Sequence, residues 1–378
     1  MCEYNCTCSE LLGECGWWWL WISCPGLGVA RITALRAVAQ AHQVTLAELW
    51  LWPLLRLQAA LRWPDSLMAR VEAYRLSKGT SPSLLVPDNA LFPLDQDWPI
   101  SFDLLKRPPL AVHWSGRTQC WPFLSAQKAV AVVGTRRPSD HGCRMAHALG
   151  QCLARAGWPV VSGLAEGIDA ASHRGCLAAG GLPVGILGTP LDRVYPPEHE
   201  ALQAQVEAAG LLLSEWPCGA RVQRSNFALR NRLLVSVACA LVVVECPETS
   251  GSLLSAQIAR TQNCPVWVVP GDALRWSCEG SNALLQEGAT PLLSPESLLA
   301  VLGPGPLAAA RSASMPLDRS RSSAERNPSL LRCVDEGLTL EQLSAALSCS
   351  PTLMAHELLQ LELEGVIEPK PGMRWRSV

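Results

Sequence analysis

The chain has 378 residues, 49% of them apolar, and a formal net charge of −2 with only 17% charged residues. This length allows two or three domains around a large core, and the balanced charge excludes a globally basic nucleic-acid coat while leaving room for a local basic patch. The start of the chain lacks the basic residues of a signal peptide, and the apolar run at 17–24 is too short to span a bilayer, so we expect a cytoplasmic protein without a membrane partner.

Sixteen cysteines raise the question of disulfides or a metal site. Most of those outside the head, which we define as the segment before Cys24, fall within apolar patterns, as Cys152 and Cys264 do. In such patterns cysteine behaves as a small hydrophobic residue. The cysteines of the head are Cys2, Cys6, Cys8 and Cys15. They could bind a metal, but no C-x-x-C pair or nearby histidine supports this interpretation. We therefore expect free thiols, no metal and no cofactor.

Residues 1–105 predict a helical N-terminal domain. Its tryptophans at 17–21 are typical of a helix that packs on a neighbour rather than of a stacking platform. The segment Cys24–Gly28 precedes a run with helical apolar spacing and resembles a helix-hairpin-helix turn, whose amides can hold a DNA phosphate. The same pattern also fits two helices that only pack together.

Residues 106–302 alternate short apolar runs with helical segments. The predicted strands are 110–114, 129–134, 158–162, 182–187, 211–215, 241–245 and 266–271. The predicted helices between them are 140–156, one opened by the turn 163–175, 198–208, 226–238 and 253–260. This alternation predicts an α/β fold with a Rossmann-like, doubly wound, mostly parallel sheet.

The last part of the chain changes in composition. Residues 303–327 are rich in Ala, Ser, Pro and Arg and predict a flexible linker, and residues 328–378 predict a winged-helix-like domain. Its predicted elements are helices 329–336, 339–346 and 352–364 and a hairpin from 366. In the third helix, Leu353, Leu358 and Leu361 are expected to face inward.

Phosphate-binding features follow several predicted strands. Arg136 and Arg137 come directly after the strand 129–134, and glycine-rich or serine-rich turns begin at Gly163 and Ser250. Ligands of open parallel sheets bind beyond the carboxyl ends of the strands, and amide-rich turns at helix N-termini attract anions there. The sequence therefore predicts a site for a phosphate-bearing ligand.

The stretch 221–232 contains four arginines, one aromatic residue and no acid. Arginines for phosphates and Phe227 for base stacking are what a groove for single-stranded nucleic acid requires. The alternative is that Arg230 and Arg232 brace the domain through salt bridges, while Phe227 belongs to the core.

Catalytic motifs are weak by comparison. The chain has no G-x-x-x-x-G-K-[ST], no G-x-G-x-x-G after the first strand and no H-E-x-x-H. Ser162, Asp169 and His173 are candidate catalytic groups, but a packing role for His173 is the simpler interpretation. The residues favour a binding protein rather than an enzyme.

Seven motifs occur in order between residues 100 and 300 and carry a family resemblance. They are Val133-Gly-Thr-Arg136, Ser162–Arg174, Leu191–Pro197, Ser214-Glu215, Asn226–Arg232, Ser250-Gly-Ser252 and Gly280-Ser-Asn282. With them the chain resembles the bacterial DNA-processing protein A (DprA/Smf) family. The segment near Gly26 resembles that family's helical N-terminal domain, and the tail resembles its optional winged-helix domain.

The resemblance implies a non-enzymatic protein that binds incoming single-stranded DNA in natural transformation, protects it, helps to load the RecA recombinase and forms a homodimer through the Rossmann-like domain. By motif position, its DNA pocket uses Arg136, Arg224 and Phe227. The expected DNA-binding set is completed by Arg137, Ser162, Gly163, Arg174, Asn226, Arg230, Asn231, Ser250, Gly251 and Ser252.

Two other functions remain open at this point. The Rossmann-like superfamily includes nucleotide-processing enzymes that resemble the lysine-decarboxylase-like phosphoribohydrolases, but their Pro-Gly-Gly-x-Gly-Thr turn is replaced here by Glu248–Ser252. A transcription factor is the other alternative. Against it, the third helix of the tail carries Glu357, Glu362 and Glu364, which form a poor face for a major groove, so protein contact or weak duplex binding is the expected role of the tail.

Overall fold

The structure is a computed structural model that describes residues 13–80, 82, 86–308, 328–347, 349–363, 366–370, 372 and 374–377. The chain divides into two compact units, Met1–Ala308 and Ala309–Val378. Most of the predicted linker lies outside the described residues, as do Cys2, Cys6 and Cys8. Among the described helices, none is long and apolar enough to cross a membrane.

The first unit begins with five helices around their own core. They are α1 (Glu14–Ile22), α2 (Val29–Ala41), α3 (Leu46–Leu51), α4 (Leu54–Leu61) and α5 (Asp65–Lys78). Trp18 and Trp21 are buried in this core, which confirms the predicted packing role for these two, whereas Trp17 and Trp19 are partly exposed at its edge. The turn between α1 and α2 contains Gly26 in a left-handed conformation (φ +91°), and whether its amides hold a phosphate stays a prediction.

A nine-stranded sheet forms the centre of the first unit. Its strands are β1 (Ala90–Leu91), β2 (Val112–Gly116), β3 (Val130–Val133), β4 (Val160–Ser162), β5 (Pro183–Leu187), β6 (Leu211–Ser214), β7 (Ala240–Val243), β8 (Val266–Val268) and β9 (Thr290–Pro291). The strand order is β1-β2-β6-β5-β4-β3-β7-β8-β9. The β1–β2 and β2–β6 pairs are antiparallel and all the others are parallel, as the predicted fold class requires.

Helices cover both faces of this sheet. They are α6 (Ile100–Asp103), α7 (Trp121–Ser125), α8 (Asp140–Arg155), α9 (Ile168–Ala178), α10 (Glu200–Ala209), α11 (Arg224–Ser236), α12 (Gly251–Thr261), α13 (Glu279–Gln286) and α14 (Pro295–Leu302). Alternate residues of β3 face opposite layers: Val130 and Val132 pack with α8 and α9, whereas Ala131 and Val133 pack with α11 and α12. A strand buried on both faces must be apolar throughout, which explains the unbroken apolar runs of the sequence.

Two strands of the sheet were not predicted. β1 lies inside the segment that composition assigns to the helical domain, yet it pairs with β2. β9 has only two residues, and both are exposed. Strands this short carry no period-2 pattern, because their pairing depends on a neighbouring strand rather than on their own sequence.

The second unit contains three helices followed by a hairpin, in the predicted order. These are α15 (Pro328–Asp335), α16 (Leu340–Ala346), α17 (Pro351–Leu363), β10 (Ile367–Lys370) and β11 (Arg374–Ser377). Leu358 and Leu361 are buried as expected, but the prediction for Leu353 is wrong, because it is exposed and Met354 is buried in its place. Residues 354, 358 and 361 follow the i, i+4, i+7 spacing of one helix face, and position 353 falls beside it.

Candidate nucleic-acid interface

The candidate site lies where the order of strands reverses. After β3 the chain adds β4, β5 and β6 on one side, and α11 then leads it to β7 on the other side of β3. The chain continues from β3 into α8 on one face of the sheet and from β7 into α12 on the opposite face. A crevice therefore opens between these two connections. Ligands of open α/β sheets bind in such a crevice, beyond the carboxyl ends of the strands.

A cleft of about 440 Å³ occupies this position, and we call it the sheet-edge cleft. The predicted site residues that line it are Arg136, Arg137, Arg224, Phe227, Arg230, Asn231, Ser250, Gly251 and Ser252. Arg136 follows β3 and Arg224 begins α11, so residues far apart in sequence meet on one surface. A placement of these two arginines on opposite sides of the domain would have excluded the predicted pocket.

Three arginines of the sheet-edge cleft are exposed: Arg136, Arg137 and Arg224. None of them forms an ion pair with another residue that the structure describes. The first turn of α11 contains no acidic residue, so the positive end of the helix dipole adds to their field. The cleft therefore presents uncompensated positive charge to solvent.

The serine turn, Ser250–Ser252, lines the same cleft and opens α12. Ser250 caps the helix by accepting a hydrogen bond from the Ser252 amide (3.1 Å), and the Ser252 hydroxyl donates to the carbonyl oxygen of Gly134 (3.0 Å). The Asn231 side chain donates to the carbonyl of Gly251 (3.2 Å), which ties α11 to α12. These bonds hold an amide-rich helix start at the sheet edge, where it attracts anions.

Phe227 is half-buried between two side chains. Its ring centroid lies 5.0 Å from that of Tyr195, and the guanidinium carbon of Arg136 lies 5.6 Å from its centre. A β-carbon at position 188, which is Gly188, would approach the Phe227 ring to 2.6 Å, so this glycine lets the ring pack against the backbone. Phe227 is thus partly packed and partly available for stacking.

Arg230 is buried beneath the cleft rather than exposed in it. One of its terminal nitrogens donates to the carbonyl oxygen of Ile186, and its guanidinium covers Gly163, where no β-carbon would fit. Burial raises the pKa of Asp169, although Arg230 and the amides of Gly163 and Ala165 act to lower it. Burial also lowers the pKa of Arg230. Arg230 therefore supports the floor of the site from within.

Arg232 belongs to the same buried class. It forms an ion pair with Glu215, with 9% and 16% of the two side chains exposed. This is the bracing role that the sequence allowed as an alternative for Arg230 and Arg232.

Four predicted site residues lie outside the sheet-edge cleft. Gly163 lies in a small recess beside it, together with Arg136 and Phe227. Ser162 is fully buried and donates its hydroxyl to the carbonyl of Val132 (2.7 Å). Arg174 is exposed on α9 and lines no part of this cleft, and Asn226 faces a different cleft on the far side of α11.

Among the candidate catalytic groups, the Ser162 side chain is hydrogen-bonded to the buried Asp169 carboxylate, but no hydrogen bond within the described residues joins either of them to the His173 ring. The hydroxyl of Ser162 is bonded to a backbone carbonyl, and both ring nitrogens of His173 have no hydrogen-bond partner in the described part of the chain. Burial lowers the pKa of His173 to about 3, so its ring is neutral at physiological pH.

Two aromatic residues of this region were missed in the sequence. Tyr195 is 45% exposed beside Phe227, and Trp276 is 58% exposed in the lining of the cleft. Tyr195 stands in a loop already singled out as a motif, but nothing local indicates that the loop reaches α11. For Trp276, the available sequence signal was a tryptophan directly after Arg275.

Comparisons with known proteins agree with this geometry. A family model described as DNA recombination-mediator protein A matches residues 89–303. Protein Smf of Synechocystis sp. is 34% identical over 325 residues, which cover 78% of this chain and 80% of that protein.

Two solved structures are similar. DNA processing protein A of Streptococcus pneumoniae has a TM-score of 0.64 and 26% identity and covers 77% of this chain and 98% of its own. That of Helicobacter pylori, described for its single-stranded DNA binding mode, has a TM-score of 0.50 and 28% identity and covers 56% of this chain and 95% of its own. The chain belongs to the DNA-processing protein A (DprA/Smf) family.

Proposed function

We propose that this DNA-processing protein binds single-stranded DNA in the sheet-edge cleft. The observation that carries the proposal is the meeting, in one cleft, of Phe227 with three exposed arginines that form no ion pair with another described residue. Tyr195 packs against Phe227 from the small recess beside this cleft. Arginines and helix-start amides hold phosphates, and aromatic rings stack on bases that are not already stacked in a duplex. The Helicobacter pylori relative, described for its single-stranded DNA binding mode, supports the same ligand.

A binding titration tests this proposal. Fluorescence anisotropy with single- and double-stranded oligonucleotides at two salt concentrations should give tighter binding of the single strand and a loss of affinity with salt, because each neutralised phosphate releases counterions. Arg136→Ala and Arg224→Ala should each weaken binding across sequences. Arg155→Ala is the matched control, because Arg155 is also exposed but lies in the last turn of α8, outside the cleft. Equal affinities of all four proteins would refute the proposed site.

The family membership extends the proposal to a cytoplasmic role in natural transformation. We infer that the bound strand is protected and that the protein, as a homodimer, helps RecA to load on it. Nuclease digestion of the strand, light scattering of the protein and the rate of RecA ATP hydrolysis on single-stranded DNA each test one of these three inferences. A strand digested equally fast with and without the protein would remove protection from the proposed role.

A further inference from the structure

A second cleft lies on the other side of the α11 helix start. It has a volume of about 1000 Å³ and lies between the N-terminal helices and the sheet. Its lining includes Trp19, Arg107, Trp216, Arg221 and Asn226. The sheet-edge cleft and this second cleft therefore flank the same helix terminus.

Asn226 is the feature of the second cleft that its own packing does not explain. The residue is 4% exposed, and its side-chain nitrogen has no hydrogen-bond acceptor among the described residues. Buried amide groups are nearly always bonded, so an unbonded one needs an explanation. An acceptor on a bound ligand would supply the missing partner.

The other lining residues indicate the chemistry of that ligand. Arg107 and Arg221 are exposed and form no ion pair with another described residue, while Trp19 and Trp216 are partly exposed. The carboxylate in the lining, Glu215, is neutralised by its ion pair with Arg232. Cations, indole rings and an amide donor together match the phosphate, the face and the edge of a nucleotide.

The helix start joins the two clefts. Phe227 and Asn226 are neighbours on α11, so their side chains point about 100° apart, the first to the sheet-edge cleft and the second to the other cleft. No side chain caps the N-terminus of α11 within the described structure, and its first turn has no acid. Its amides therefore form a positive bridge between the clefts.

We propose that a single strand bound in the sheet-edge cleft crosses the N-terminus of α11 and places a neighbouring nucleotide in the second cleft. There Asn226 donates to an acceptor on the base, and Arg221 neutralises a phosphate. This inference rests on the proposed single-stranded DNA binding and extends its path.

Oligothymidylates of two lengths, about 4 and about 16 nucleotides, test the path. A short strand fills the sheet-edge cleft alone, whereas a long strand reaches both. Asn226→Leu and Arg221→Ala should weaken the long strand about tenfold and leave the short strand unchanged. For the long strand, Arg221→Ala should also reduce the slope of log affinity against log salt by about 0.7. Arg155→Ala is again the control.

Thermal melting separates a ligand contact from a structural role of Asn226. Asn226→Leu removes the unbonded nitrogen and keeps the number of side-chain heavy atoms, so an unchanged or raised Tm with weaker long-strand binding supports the proposal. A lowered Tm with wild-type binding of both lengths overturns it. Wild-type long-strand binding by the exposed-site variant Arg221→Ala, with the wild-type salt slope, overturns it as well.

Free nucleotides could present the same chemistry, so a second arm titrates the wild type with dTMP. Saturable dTMP binding that Asn226→Leu abolishes, without any difference between the two proteins on long strands, would make the second cleft a nucleotide site and overturn the strand path. The proposed function fails separately, if the wild type binds neither oligothymidylate.

Discussion

The exposed and the buried arginines around α11 have the same chemistry and different surroundings. Arg136 and Arg224 extend into the sheet-edge cleft without ion pairs among the described residues, whereas Arg230 and Arg232 are buried against Ile186 and Glu215. A buried guanidinium is fixed by the groups that compensate its desolvation, and an exposed one is free to meet a ligand. Burial, rather than residue type, separates the arginines that support the fold from those that are accessible to a ligand, and the following predictions test that separation.

Removal of Arg230 should have the largest effect. Arg230→Ala leaves Asp169 buried without its compensating charge and the Ile186 carbonyl without its donor, so the free energy of unfolding should fall by about 3–5 kcal/mol. Urea denaturation measures this loss. Arg155→Ala should stay within about 0.5 kcal/mol of the wild type. A stable Arg230→Ala protein that no longer binds DNA would move Arg230 to the recognition group.

Phe227 is half-buried, so its exposure is intermediate between that of the buried and that of the exposed arginines. Phe227→Ala should weaken single-stranded DNA binding by about 1–3 kcal/mol if the ring stacks on a base. Phe227→Leu keeps much of the packing against Gly188 and loses the aromatic face. Fluorescence anisotropy and thermal melting of both variants therefore distinguish a stacking role from a packing role. Wild-type affinity in the leucine variant would assign Phe227 to the core.

The effect of burial on an ionisable side chain can also be tested at His113, which is buried beside Trp19. Burial lowers its pKa to about 4. Between pH 6.5 and pH 4 the unfolded chain therefore binds a proton that the folded protein does not, and the free energy of unfolding falls as the pH falls. We expect this residue to account for a loss of about 2 kcal/mol between pH 7 and pH 5.

Urea denaturation of the wild type and His113→Gln at the two pH values measures that contribution. Glutamine does not titrate, so the variant should lose less stability on acidification than the wild type. An identical pH dependence of the two proteins would show that His113 binds its proton equally in the folded and unfolded states.

Replacement of Arg137 should have the smallest effect on stability and should still change the binding of single-stranded DNA. Arg137→Ala removes an exposed side chain, so the free energy of unfolding should change by less than about 0.5 kcal/mol. If Arg137 contacts a phosphate, the salt slope of single-strand binding should fall by about 0.7. A large loss of stability would place Arg137 with the buried arginines.

The sequence by itself determined the chain order of seven of the nine strands of the sheet and the position of Arg136 after β3, but not the two short strands β1 and β9. Short apolar runs that alternate with helical segments indicate strands buried on both faces, and this alternation favours parallel crossovers. The carboxyl end of β3 then follows as a ligand position, with no knowledge of contacts.

Only the tertiary structure decided which polar side chains reach that position. Arg230 bonds Ile186, 44 residues away, and Asn226 faces the second cleft although its neighbour Phe227 faces the first. Tyr195 meets Phe227 through a loop whose course no local pattern specifies. Periodicity reports which residues lie on one face of a helix, but the environment of that face depends on segments that are distant in sequence and adjacent only after folding.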